Sequence, residues 1–308
     1  MPRIFRIGTR ESRLALWQTD FVTRILKEVS PDTKIEIVHI TTKGDKILDI
    51  PLDKIGDTGL FTKEIEQALL DEKIDLAVHS LKDLASEIPE GLILGAVPAR
   101  EDFRDVLISR GAGSLEELPE NAKILTGSLR RAAQLLNFRK DFRTENIRGN
   151  VETRLRKFSE SDADGLIMAS AGLKRLGLTD KISGYISEET MIPAVCQGAL
   201  GIEIRENDTE TAELCSLINK EDLFLVASAE RSFLKYLQGG CQVPIGCLGI
   251  KSGEELTLTG FVSSMDGKEL IRKKITGSIN QPLELGVLLG DEIIAAGGRK
   301  IINSFKQN

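Results

Sequence analysis

The sequence predicts an α/β protein: two α/β domains followed by a small α+β domain. Three observations carry this. Through the first two-thirds of the chain, short β-rich runs alternate with helical patterns, the signature of parallel sheets covered by helices. Two proline-bearing stretches, Val97-Pro98-Ala99 and Ile192-Pro193-Ala194, flank the second such block and mark crossings between domains. From about Asp222 the pattern changes to one helix, strand-like runs and a last helix. A chain of 308 residues is long enough to give each part its own core.

The elements follow in order. Phe5–Gly8 reads as a strand, Ser12–Glu28 as a helix and Lys34–Thr41 as a strand. Leu60–Asp71 places Phe61, Ile65, Ala68 and Leu69 on one helical face. Ile74–His79 is a strand of the buried type. In the second block, from about Arg104 to Ile192, strands lie near Val106–Ser109, Lys123–Thr126, Glu145–Ile147 and Gly165–Ala169. Helices there begin near Ser128, Asn150 and Gly172. The last part has a helix at Leu223–Leu237, then three strand-like runs with turns at Gly253 and Asp266-Gly267, then a helix from Pro282.

Composition excludes several classes. Lys and Arg number 41 against 47 Asp and Glu, a net charge of −6. No global basic field exists to draw nucleic acid. No apolar run approaches the roughly 18 residues needed to cross a bilayer. Met1–Arg10 lacks a signal-like apolar stretch, so the expected location is the cytoplasm. The cysteines are Cys196, Cys215, Cys241 and Cys247, and their spacing suits neither a disulfide framework nor zinc. With only His39 and His79 as histidines, no metal site is expected and a Ser-His-Asp triad is disfavoured.

Four times a strand is followed by a small or polar residue and then by arginine at the start of a helix. The segments are Gly8-Thr9-Arg10-Glu11-Ser12-Arg13, Thr126-Gly127-Ser128-Leu129-Arg130-Arg131, Arg148-Gly149-Asn150-Val151-Glu152-Thr153-Arg154 and Ala171-Gly172-Leu173-Lys174-Arg175. The small and polar residues are caps. The arginines oppose the helix dipole, at about 0.3–1 kcal/mol each. Any one of them could be solvated or pair with Glu11, Glu152 or Asp141. Four together favour a bound polyanion in a cleft between the α/β domains, because helix starts at the carboxyl ends of parallel strands are anion sites. No nucleotide fingerprint is present, so a polycarboxylate fits as well as a phosphate.

Two further positions carry chemistry. Val78-His79-Ser80-Leu81-Lys82-Asp83 sets a cation and a carboxylate at the carboxyl end of a strand, facing the same expected cleft. A solvated Lys-Asp pair is the plainer alternative, and His79 reads as a satisfied, partly buried histidine. Gly239-Gly240-Cys241-Gln242-Val243-Pro244-Ile245-Gly246 is a tight loop that presents a thiol. An exposed thiol is a nucleophile or an attachment point, whereas a buried one is packing.

Together these segments resemble the porphobilinogen deaminases. The matching runs span nearly the whole chain: Gly8-Thr9-Arg10, Leu14–Gln18, Thr42–Asp45, Gly59–Glu64, Ala77–Asp83, Ser128–Arg131, Arg148–Val151, Ala171–Gly177, Gln197–Ala199 and Gly239–Gly246. The resemblance implies two periplasmic-binding-protein-like domains, 1–98 with 199–218 and 104–192, plus a third at 222–308. It implies a monomer that joins four porphobilinogens head to tail into hydroxymethylbilane with release of ammonia. It implies a dipyrromethane cofactor held by Cys241 through a thioether. Each pyrrole ring carries an acetate and a propionate, which explains arginine in an acidic protein. The carboxylate-binding positions carried over are Arg10, Ser12, Lys82, Thr126, Ser128, Arg130, Arg131, Arg148, Arg154 and Arg175, with Ser80, Asp83 and Gly149 also at the cofactor. Asp83 matches the catalytic aspartate, with Lys82 beside it.

The sequence departs from the family pattern at Thr58, where lysine is common in the loop Leu48–Thr58, and at Gly127, where serine is usual. It also departs at Ala85, where proline is usual, and at Cys196, where glycine is usual. The competing readings are a non-enzymatic anion-binding protein and a phosphosugar transferase. The first would not need the Cys241 loop, and the second would need phosphate-loop glycines that are missing.

Overall fold

A computed structural model describes residues 3–46, 62–238 and 243–305. Thr58, Phe61 and Cys241 lie outside the described residues. The chain divides into two compact units. One takes the described residues up to Glu101 together with Gly198–Phe224, and the other takes Asp102–Gln197 and Leu225 onward.

The strands in chain order are β1 (Ile4–Thr9), β2 (Lys34–His39), β3 (Leu76–Ser80), β4 (Leu92–Ala96), β5 (Asp105–Ser109), β6 (Lys123–Leu125) and β7 (Arg143–Glu145). Then come β8 (Gly165–Ala169), β9 (Gly184–Tyr185), β10 (Leu200–Arg205), β11 (Ile245–Ser252), β12 (Glu255–Ser263) and β13 (Leu270–Ser278). The helices are α1 (Arg13–Val29), α2 (Lys43–Lys46), α3 (Lys63–Leu70), α4 (Leu129–Phe138), α5 (Val151–Glu160) and α6 (Ser170–Arg175). They continue with α7 (Thr209–Ser216), α8 (Glu221–Tyr236), α9 (Pro282–Ile293) and α10 (Arg299–Ser304).

The first unit holds a sheet of order β2-β1-β3-β10-β4. β1 runs parallel to β2 and β3, while β10 is antiparallel to both β3 and β4. Alternation along the strands separates two faces. Ile7, Leu76, Val78, Ile202 and Ile204 pack with Val22 and Leu26 of α1 on one of them. Ile74 and Ala77 pack with Ile65, Ala68 and Leu69 of α3 on the other. The expected helical face of α3 is therefore its buried one, apart from the undescribed Phe61.

The second unit repeats the plan in the order β7-β6-β8-β5-β9. β6 runs parallel to β7 and β8, and β5 is antiparallel to β8 and β9. In each sheet the antiparallel strand next to the parallel three is the segment where the chain crosses. The same unit carries the antiparallel sheet β11-β12-β13 under α8 and α9, with Phe233 and Leu289 fully buried. This is the expected doubled α/β architecture with a small C-terminal α+β part. The C-terminal part is tied to the rest of this unit by Asn137 Nδ2 of α4 donating to the Gly267 carbonyl at 2.9 Å, and by Glu230 of α8 accepting from Gly249 N of β11 (2.8 Å) and from Cys196 N (2.5 Å).

Cys196 has φ +58. That left-handed conformation explains why glycine is usual at the position. Cys196, Cys215 and Cys247 are all buried.

Candidate active site

Because β1, β2 and β3 are parallel, the segments that follow them emerge at one edge of the first sheet. After β1 the chain passes Arg10 to Ser12, whose Oγ caps α1 by accepting from Ala15 N at 3.3 Å. After β3 it makes a 3₁₀ turn, Leu81–Asp83. Leu81 and Leu84 are 1% and 4% exposed and anchor this turn, so that Asp83 between them faces outward. A recess forms at this edge, lined by Arg10, Ser12, Leu14, Ala15, Gln18, Thr62, Ile65, Val78, His79, Ser80 and Asp83. Gln18 Nε2 donates to Ser80 Oγ at 2.7 Å and fixes that hydroxyl. Lys82 is half-buried beside Asp83 and does not line the recess.

The corresponding edge of the second sheet is built from the segments after β6, β7 and β8. Thr126 Oγ1 accepts from Ser128 N at 3.3 Å, where Ser128 leads into α4. A Cβ on Gly127 would stand 2.5 Å from the Ile147 carbonyl oxygen, so no side chain fits there without a shift. Asn150 caps α5 by accepting from Thr153 N at 2.8 Å. Gly149 has φ +121, and its carbonyl accepts from Arg154 Nε at 2.7 Å. Arg148 and Arg154 are half-buried.

Two of the arginine placements differ from the sequence expectation. Arg175 closes α6 rather than opening it, because the helix begins at Ser170. A cation in a last turn is favourable to the helix dipole and needs no bound anion to explain it. Arg130 and Arg131 do stand at a helix start, yet both are 5% exposed and face a carboxylate of the protein itself. Arg130 Nη2 donates to Asp105 Oδ2 at 2.8 Å, and Arg131 Nε and Nη2 donate to Asp105 Oδ1 at 3.0 and 2.8 Å. Gln197 Nε2 adds a fourth contact at 2.9 Å. Burial pushes the fully buried Asp105 carboxyl up, but the charges of Arg130 and Arg131 and these bonds hold it at about 2. Burial works the other way on Arg130 and lowers it.

Sequence reasoning missed Gln18, Asp105, Glu203 and Glu66. Gln18 was legible, since it stands at i in the i, i+4, i+8 row completed by Val22 and Leu26, an apolar stripe with one polar member. Asp105 opens an apolar strand run, where an acid is out of place. Glu203 likewise interrupts an apolar run, and nothing local marks Glu66.

Residues 5–213 match the family model "Porphobilinogen deaminase, dipyromethane cofactor binding domain". Residues 224–295 match "Porphobilinogen deaminase, C-terminal domain". The porphobilinogen deaminase of Alkaliphilus metalliredigens is 51% identical, over 98% of this chain and 96% of that one. The chain belongs to the porphobilinogen deaminase family. It polymerises porphobilinogen into hydroxymethylbilane in tetrapyrrole biosynthesis, and its cofactor is dipyrromethane. The enzyme of Syntrophomonas wolfei subsp. wolfei is 50% identical, over 97% of this chain and 98% of its own. Among solved structures, the methionine binding protein MetQ overlaps at a TM-score of 0.46 and 12% identity, over 74% of this chain and 94% of MetQ.

Proposed function

We propose that the recess at the edge of the first sheet is where the reaction occurs and that Asp83 is its catalytic carboxylate. The observation that carries this is the joint placement of Arg10, Ser12, Ser80 and Asp83 around one hollow. A carboxylated pyrrole needs cations and hydroxyls for its acetate and propionate, and an acceptor for its ring N–H. Arg10, Ser12 and Ser80 are of the first kind and Asp83 is of the second, so the donor set fits. When bound, the dipyrromethane supplies the free α-carbon that is extended.

In this reading Asp83 accepts the N–H of the incoming porphobilinogen and steadies the positive charge that develops as ammonia leaves. It then takes the proton released by the attacking carbon. Lys82 adds positive charge beside it. Arg10 holds a side-chain carboxylate of the substrate in a forked contact. Ser80 is held in place by Gln18 and orients the ring.

The remaining assignments belong to the same reading. Cys241 is the attachment point, through a thioether. Thr126, Ser128, Arg148, Gly149, Arg154 and Arg175 serve carboxylates of the growing chain, and Arg130 and Arg131 do so from their seat on Asp105. The chain is divided into domains at 1–98 with 199–218, 104–192 and 222–308. No helix among the described residues is long and apolar enough to cross a membrane, and the protein works as a cytoplasmic monomer.

The test is Cys241→Ala and Asp83→Asn side by side. Intact mass of the purified wild type should exceed the sequence mass by one dipyrromethane, and Cys241→Ala should lose that increment. Asp83→Asn should keep the increment and lose turnover. Near-normal turnover in Asp83→Asn sinks the assignment.

A further inference from the structure

Three ionisable side chains lie on the face of the first sheet that packs against α3, and the reading above uses none of them. His79 precedes the last residue of β3 and lines the recess. Its Nε2 is 2.9 Å from Glu203 Oε2. Glu203 stands two residues along β10 from Gly201, the cross-strand partner of His79, so the contact is a diagonal one on a shared face. The register of β10 against β4 shifts between Ile202 and Glu203. Such irregularities re-aim a side chain and recur beside active sites. Glu66 is a buried residue of α3, the helix that packs on this face through Ile65, Ala68 and Leu69, and the charges of Glu203 and His79 act on its carboxyl.

The group is costly where it sits. Exposure is 6% for His79, 0% for Glu203 and 7% for Glu66, beside the apolar Ile65, Leu69, Ala77 and Leu92. Glu203 Oε1 has no hydrogen-bond partner. Two ionised carboxylates there face a single imidazole, and unpaired buried charge is heavily penalised. A proton kept on one carboxyl relieves that penalty. Burial, with the charge of Glu203 behind it, pushes the Glu66 carboxyl up. An amide or a leucine would fill the same space without that penalty, which marks the group as more than packing.

We propose that His79, Glu203 and Glu66 form a buried proton relay serving the recess. The proposal rests on the reading that Asp83 works there. Each condensation breaks the bond between the aminomethyl carbon and its nitrogen, and the nitrogen leaves with the electron pair as ammonia. A carbon–carbon bond forms, and the attacking carbon loses its hydrogen as a proton, which ammonia finally carries away as ammonium. Glu203 engages Nε2 of His79, which leaves Nδ1 as the ring nitrogen able to serve the recess. His79 then receives the proton from Asp83, and Glu203 balances the imidazolium. Glu66 stays protonated, so that no second buried anion traps the proton on His79. Glu203 and Glu66 are positioning residues, since they act through His79. The other charged groups in range are Lys63 on the helix of Glu66, and Arg10 and Asp83, which share the recess with His79.

The experiment uses the holoenzyme and reads kcat and KM separately across pH for Glu66→Gln, Glu66→Asp and Glu203→Gln. The wild type should lose kcat as pH rises and Glu66 gives up its proton, above the pH at which an ordinary carboxyl does so. Glu66→Gln should remove that fall and Glu66→Asp should restore it. Glu203→Gln should lower kcat by about tenfold with little change in KM. Profiles of Glu66→Gln and Glu203→Gln that superimpose on the wild type overturn the proposal. Should the variants not fold, the wild type decides through histidine-labelled NMR, in which only His39 and His79 give signals. His79 signals that do not respond over the pH range in which kcat falls also overturn it. Asp83→Asn separates the two readings. If it is inactive while Glu66→Gln behaves as wild type, only the relay fails. If it stays active, the reading of the recess fails and the relay with it.

Discussion

The two α/β sheets share one strand order but place their buried carboxylate–arginine clusters at opposite ends. In the first, Asp75 lies just before β3 and binds Arg3, Arg6 and Arg205 at 3.0–3.1 Å, with Asp208 joining Arg3 and Arg205 at 2.6 Å. That network ties together the amino ends of the parallel strands and leaves the carboxyl edge open as the recess. In the second, Asp105 pairs in register with Ala169, the last residue of β8, so its cluster with Arg130 and Arg131 sits at the carboxyl edge. One topology thus gives an open edge where the carboxylate faces out, and an edge where a carboxylate already holds two arginines. An arginine at a helix start therefore meets a carboxylate of the protein itself in one sheet and lines an open recess in the other.

The comparison can be broken first at Asp105. Asp105→Ala leaves two buried guanidinium groups without their carboxylate and should cost about 3–5 kcal/mol, measured by denaturant unfolding. A loss under about 1 kcal/mol would mean that solvent or other groups neutralise them. Asp83→Asn breaks the other edge in a different quantity. Turnover should fall by about 100-fold or more, while the unfolding midpoint stays put because Asp83 is exposed.

Smaller effects sharpen the picture. Cys196→Val places a β-branched residue at φ +58 and should cost about 1–2 kcal/mol, whereas Cys196→Gly should be close to neutral. Thermal melts of the two side by side check this. Arg3→Ala should cost about 1 kcal/mol near neutrality. Bonds to Arg3 and Arg205 hold the Asp208 carboxyl below its usual range. At Asp75 burial acts upward, but bonds to Arg6, Arg3 and Arg205 win and lower it. Depressed carboxylates stabilise the fold above their unfolded-state values and lose that contribution as pH falls through the folded ones. The gap between wild type and Arg3→Ala should therefore shrink as the solution is acidified.

Much of the fold was legible because helix and strand periods are local. Lys123–Thr126 and Gly165–Ala169 appear almost as expected, as β6 and β8. β7 is Arg143–Glu145 rather than Glu145–Ile147, since Ile147 is buried after the strand has ended. β4 and β10 went unseen. In β10 the buried Glu203 breaks an otherwise apolar run, and its reason for being there is His79, 124 residues away. The recess was half legible: Arg10, Ser12, Ser80 and Asp83 stood out as motifs, while Gln18 passed as part of a helix.

Local pattern alone was enough for the alternation of strands and helices, for the family and for singling out Asp83 as a candidate, because motifs and periods are written in neighbouring residues. Only the folded chain decided which carboxylate each arginine meets, and which face of β3 carries a histidine against a buried glutamate. Coulomb and desolvation energies depend on distance and burial in space, and residues far apart along a chain acquire both only when the sheets form.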